Sequence, residues 1–341
     1  MNAVNHPVSK AGTLRWLLKR EYWENRGGFL YAPFIAGIVS LLMSTAGILF
    51  GLWAMHRAAR SGTLHIDGSN INVNGLDLDL LTRDLSATDR LQLGQAMDLT
   101  LVLSSSWPFI VLGFVVFFYC LGALYDDRRD RSILFWKSLP LSDTQTVLSK
   151  LLSALLVAPL IAVVASLLTM LCFMLMLSVV VLAHGGSPLE LIWAPTHPLT
   201  LAAGHLAWIP IYALWALPTA GWLLLCSAWA KSKPFLWAVM LPVFAGTIVS
   251  TTNVMQLFGN GGGWFWQHVV GRLLVGAFPG TDLLYRSHPG GRDEDLQNLV
   301  TLLSPARQLE ALAMPELWIG AAVGTVFIVL AIHLRRRAGE I

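Results

Sequence analysis

Residues 99–124 read LTLVLSSSWPFIVLGFVVFFYCLGAL, 26 positions without one Asp, Glu, Lys or Arg. A hydrocarbon core of about 30 Å is crossed by a helix of about 20 mainly apolar residues. In lipid, every backbone polar group must find a partner within its own segment, so such a run reads as a spanning helix. Working outward, five more runs have the same character: 28–54, 151–183, 203–230, 234–258 and 317–334, the last near the lower length limit. The predicted fold is an all-α integral membrane protein with six transmembrane helices, forming one membrane domain over residues 1–341.

Composition agrees. Hydrophobic residues make up 55% of the 341 and charged residues 13%, against about 25% charge in soluble domains. A cytosolic enzyme is excluded on that ground. A net charge of +3 is too small to point to nucleic acid. Cys120, Cys172 and Cys226 all fall inside apolar runs and read as small buried hydrophobes, not as a disulfide framework or metal site.

The charges fix a predicted orientation. With the N-terminus inside, the inner segments hold 15 of the 23 basic residues, including all six lysines, and the outer segments hold 13 of the 20 acids. Basic residues concentrate in the cytoplasmic loops of membrane proteins. Both termini are therefore expected in the cytoplasm.

Several segments between the spans carry their own signals. Residues 12–26 place Leu14, Leu17, Leu18 and Tyr22 at helical spacing, with Arg15, Lys19 and Arg26 off that face. Trp16 and Trp23 suit the headgroup region, so the segment reads as an amphipathic helix on the inner leaflet. In the outer loop 55–98, Ser86 followed by Asp89 resembles a helix start. In the inner loop 125–142, Leu139-Pro140 stops one short helix, and Ser142 with Gln145 forms a capping box for the next. A helix from 143 to 183 would be about 60 Å long, with Pro159 as its candidate kink. Only Lys231-Ser232-Lys233 separates the fourth and fifth spans, which must be antiparallel neighbours. Residues 259–316 open on a glycine cluster and continue WFWQHVVGRLLVGAFPG, too short and broken for a full span. They read as re-entrant or interfacial helices before the last span.

The absent motifs matter as much. No G-x-x-x-x-G-K-[ST] occurs, so the chain has no P-loop for ATP. H-E-x-x-H, C-x-x-C and G-x-S-x-G are missing too; the sequence offers neither a catalytic cluster nor a metal site. The span centres hold no Asp, Glu, Lys or Arg, which argues against a proton- or ion-coupled secondary transporter. The lack of a catalytic cluster argues against a membrane enzyme, and a non-transporting scaffold that anchors an ATPase is the third rival reading.

The inner loop follows directly on the opening stretch. Residues 125–150 read YDDRRDRSILFWKSLPLSDTQTVLSK. Dense mixed charge precedes Ile133, Leu134, Phe135 and Trp136, a composition suited to docking into a groove on a soluble partner. The pair Asp127-Arg128, a short helix, Leu139-Pro140, Ser142, and Lys150-Leu151-Leu152 at the head of span three together resemble the ABC-2 type permeases of ABC transporters. LLKREYWENRGG resembles their N-terminal elbow helix, and the six-span layout is similar. Arg131-Ser132 stands where the family often has Gly-Thr, and Ser149 where Gly often precedes Lys.

The resemblance implies a permease subunit in the inner (plasma) membrane of a bacterium. Its implied partners are a second permease copy, as homodimer or with a related chain, and two copies of a separate ABC ATPase carrying ATP and Mg, with lipids around the spans. It implies that Asp127, Arg128, Arg131, Leu134, Phe135 and Trp136 couple to that ATPase. In similar permeases spans two and five face the dimer axis, which makes Ser105, Trp107, Phe117 and Tyr119, with Thr247, Ser250, Thr251 and Asn253, candidates for a translocation path. Uncharged hydroxyls and aromatics there suit a hydrophobic or amphipathic cargo such as a drug, peptide or lipid-linked molecule. Hydroxyls in membrane helices also serve plain helix packing. The motifs Gly47-x-x-x-Gly51 and Gly320-x-x-x-Gly324 are candidates for close helix contact.

Overall fold

A computed structural model of the chain describes residues 10–61, 86–130, 141–252, 262–282 and 303–337. Among these residues there are helices and turns and no strand. Five helical stretches are long and apolar enough to cross a membrane, and a bent pair makes a sixth. The chain is an all-α, multi-pass membrane protein.

The N-terminal helix α1 (Lys10–Glu24) leads through one wide turn at Gly27–Tyr31 into α2 (Ala32–Ser61). On α1 the inward face carries Leu17 as expected, while Arg15, Trp16, Lys19 and Trp23, and Arg26 just beyond it, stay exposed. The most deeply buried residue of α1 is one that its apolar pattern did not single out: Glu21, only 1% exposed.

Span two is built from α3 (Ala87–Ser104) and α4 (Trp107–Gly122). The helix start read from Ser86 is present, with Ser86 and Asp89 exchanging both capping bonds. The break between the helices falls on Ser104-Ser105-Ser106, and neighbouring helices satisfy the carbonyls it frees. Ser40 of α2 donates to the Ser104 carbonyl, and Ser166 donates to the Ser105 carbonyl at 2.8 Å. After α4 the chain makes one short turn of helix, α5 (Tyr125–Arg129).

Span three starts with α6 (Asp143–Leu152), whose capping box of Ser142 and Gln145 forms as the sequence indicates. It runs through a wide turn at Ser153–Val157 into α7 (Ala158–Ala183). The irregular turn immediately precedes Pro159, whose missing N–H leaves a carbonyl of the preceding turn without its usual donor.

Span four differs from its predicted extent. It begins at Pro198 and consists of α8 (Pro198–Trp215) and α9 (Leu217–Trp229), which meet at 48°. Span four carries two prolines, and the bend occurs at Pro218, while Pro210 lies inside α8. Three side chains around the bend hold the segment Gly262–Asp282. Tyr212 donates to the Ala277 carbonyl (2.8 Å), Trp215 donates to the Thr281 hydroxyl (3.2 Å), and Thr219 donates to the Arg272 carbonyl (2.6 Å). Loop carbonyls away from water need such donors. The segment is therefore packed against span four through its backbone, as a short helix that starts at α11 (Gly262–Phe265) and ends at α12 (Arg272–Val275).

Span five is α10 (Pro234–Thr252). It pairs with α9 across the three-residue link, and Trp222 donates to the Ala238 carbonyl at 2.9 Å. Residues 253–258, read as the rest of this span, lie outside the described residues. A short helix α13 (Pro305–Glu310) precedes the last span, α14 (Pro315–Arg337). Here Gly324 is used: a Cβ on it would lie 2.6 Å from the Leu217 carbonyl carbon, and one on Gly221 would lie 2.7 Å from the Gly324 oxygen. Only glycine allows α14 to approach the bend so closely. Gly47 and Gly51 have open space where a Cβ would project, so among the described residues that motif makes no close helix contact.

The core lies between α4, α6–α7, α8–α9 and α14, with Leu112, Val116, Cys120, Val147, Ala158, Leu223, Leu224 and Ile328 among its residues. Spans one and five are peripheral to it, reaching it mainly through Phe29 and Ala238. Only 17% of each apolar window there is buried, against 50% and 44% in spans two and three. Cys120 and Cys226 are buried as expected; Cys172 is not, and sits on an exposed face of α7.

Candidate functional site

Helix α1 and the end of α14 converge on one face of the bundle. The residues that bring them together are charged and buried. Lys150, at the head of span three and 4% exposed, places its Nζ 3.1 Å from Glu21 Oε1 on α1 and 3.6 Å from Asp127 Oδ2 on α5. Arg335 at the end of α14, also 4% exposed, donates from Nη1 to Asp127 Oδ2 and from Nε to Asp143 Oδ1, both at 3.1 Å. The Tyr119 hydroxyl donates to Glu21 Oε2 at 2.7 Å. Arg336 donates to the Thr144 hydroxyl at 3.2 Å. Five elements are thereby joined: the N-terminal helix, the end of span two with α5, the start of span three and the end of span six.

Local sequence explains each placement. Glu21 lies four residues after Leu17 and so on the same inward stripe of α1. Asp127 and Arg128 are adjacent on one turn of α5 and point apart. Asp127 turns inward to the two cations, while Arg128 reaches α9 and donates from Nη2 to the carbonyls of Ser227 and Ala230. Those are carbonyls at the C-terminal end of α9, which a guanidinium satisfies well. Ser227 completes this junction by accepting from the amides of Leu124 (3.0 Å) and Tyr125 (2.9 Å). The acid–Arg pair is thus a junction, with Asp127 buried and Arg128 half-buried. Asp127 and Arg128, expected in the coupling motif, are engaged within the chain, and they tie α5 to spans three, four and six. Arg131, Leu134, Phe135 and Trp136 lie outside the described residues.

The candidate path residues do not form one surface. Ser105 is fully buried, donating to the Leu101 carbonyl at 2.7 Å, so in this conformation it belongs to helix packing. Trp107 is partly exposed at the start of α4. Phe117 is in the core, edge-on to Phe118 and Phe235. Tyr119 belongs to the ionic network. On α10, Thr247 and Thr251 are exposed with their hydroxyls turned to their own helix, and Ser250 accepts from the Trp266 indole at 2.8 Å. Asn253 lies outside the described residues.

Two functional groups escaped sequence reasoning. Glu21 and Lys150 are 129 positions apart, and no local pattern pairs them. Arg272 was assigned to an outer segment, yet it is buried, its guanidinium 3.7 Å from the ring centroid of Trp215, against Gly320 of α14. The segment before α13 thus brings a buried charge in beside the bend of span four. The isolated arginine within WFWQHVVGRLLVGAFPG was its only sequence signal.

A cavity of about 900 Å³ opens beside the ionic network, between the α1–α2 turn and α4. Smaller apolar cavities flank Arg272. Comparison of the chain with protein-family models, with curated proteins and with solved structures returns no match.

Proposed function

We propose that this chain is the membrane-spanning permease subunit of an ATP-driven transporter, working as a dimer with two copies of a separate ATPase that carries ATP and Mg. The chain itself hydrolyses nothing. Both termini and the inner loop face the cytoplasm of a bacterial inner membrane, and the cargo is a hydrophobic or amphipathic compound moved outward.

The observation that supports this reading is the convergence at the terminal face. The elbow-like helix, Asp127 and Lys150 each carry part of the resemblance to ABC-2 permeases, and they are joined there through buried ion pairs. A loop that receives force from a soluble partner needs a stiff connection to the spans. Buried charge pairs with several partners make one, because separating them strands a charge away from water. Residues 131–140, with the Phe135-Trp136 pair, stand between the two elements that this network clamps, α5 and α6. Replacing Phe135 and Trp136 together with Ala is expected to abolish co-purification of the ATPase while the chain still inserts and melts normally. Unchanged co-purification would refute the docking assignment.

A further inference from the structure

The cavity beside the ionic network differs from the others in its chemistry. At about 900 Å³ it is large enough for a drug-sized molecule. One wall is aromatic: Phe114 and Phe118 of α4 are exposed, and Phe118 stacks at 18° on Phe235 of α10. The turn at Gly27 leaves the opposite side open, with nothing within 4 Å of where a Cβ would stand. The rim is anionic, with five carboxylates and two cations lining the space. Arg20 is taken by Glu24 at 2.7 Å, and Lys150 is shared by Glu21 and Asp127. Among the described residues no cation pairs with Asp126 or Asp130. Deeper in, Glu21 keeps a buried Oε1 that accepts no hydrogen bond, although the Lys150 ammonium is close. At Gly122 a Cβ would lie 2.7 Å from the Asp126 carboxylate, so the glycine leaves that carboxylate its place on the rim.

We infer that this cavity binds an amphipathic organic cation, its ring system against Phe114 and Phe118 and its charge beneath Asp126 and Asp130. An aromatic face attracts a cation as well as an apolar ring, and carboxylates without a direct ion pair beside a low-dielectric wall attract it further. A neutral or anionic amphiphile gains only the first interaction or is repelled. This names the cargo class and rests on the transport reading only in calling the ligand cargo; the binding itself does not.

The test uses the purified full-length chain in nanodiscs of uncharged phosphatidylcholine, titrated with rhodamine 6G as the cation and Nile red as an uncharged ring compound, both followed by fluorescence anisotropy. The D126N/D130N double variant is expected to bind rhodamine 6G about tenfold more weakly, a loss of the size two partly screened charges give, and Nile red as before. F114A/F118A should weaken both probes. D126N and D130N are also measured singly, so that a double variant that does not fold leaves the test intact. Equal rhodamine 6G affinity in wild type and the Asn variants overturns the inference, as does binding no stronger than to empty nanodiscs. No ATPase is present in this assay. A chain that prefers the cation but copurifies with no ATPase upholds the cavity and refutes the transport reading; a chain with its ATPase and no cation preference does the reverse.

Discussion

Replacing Lys150 with methionine removes the one cation that lies between Glu21 and Asp127. At an effective dielectric of about 20, contacts of 3.1 and 3.6 Å are each worth about 5 kcal/mol of gross Coulomb attraction. Most of that is offset by the cost of burying the ammonium, so the gross figure is not the expected loss. The loss comes from what remains. Asp127 keeps Arg335 at 3.1 Å, but Glu21, 1% exposed, keeps only the Tyr119 hydroxyl. Breaking a buried pair on one side costs about 3–5 kcal/mol, whereas replacing both partners is often close to neutral. Lys150→Met should therefore destabilise the purified chain by about 3–5 kcal/mol. Glu21→Gln on top of it should recover about 2 kcal/mol as the coupling between neighbours. The assay is equilibrium unfolding in mixed micelles, read by tryptophan fluorescence, over the full double-mutant cycle. A Lys150→Met variant as stable as wild type, or strictly additive effects, would refute the ionic clamp.

Two more outcomes follow from the same geometry. Gly324→Val pushes a side chain into the Leu217 backbone and should cost at least about 2 kcal/mol, while Gly47→Val, with open space around it, should change the melting temperature little; equal effects would contradict the packing of α14 on the bend. Arg128→Met strips a charged donor from the end of α9 and should cost about 1.5–3 kcal/mol, with faster hydrogen exchange at residues 227–230; unchanged exchange there would remove its capping role.

Local signals carried much of the fold. Hydrophobic run length located the spans, since the cost of unpaired backbone in lipid leaves helix as the form for a long apolar run. Ser86 with Asp89 and Ser142 with Gln145 announced their helices, because a capping box is complete within four residues. The three-residue link before Pro234 required a helical hairpin. Boundaries were less legible: α2 continues to Ser61 and span four starts at Pro198, because polar residues mark where a membrane ends and not where a helix does. Charges in mid-chain were misread for a different reason. Asp127 and Lys150 stand out only as motif residues, Glu21 and Arg335 do not stand out at all, and only the three-dimensional packing of α1, α5, α6 and α14 makes the four partners. Arg272 likewise becomes informative only when Trp215, Thr219 and Gly320 stand around it. Ser105 shows the opposite error, a hydroxyl in a promising span whose only bonds are to its own helix.

The most direct measurement is a mild-detergent pull-down of the tagged chain from its native host, read by quantitative mass spectrometry. The account predicts a P-loop ATPase in one-to-one ratio with the chain. An intact, membrane-inserted chain recovered without any such ATPase would contradict it.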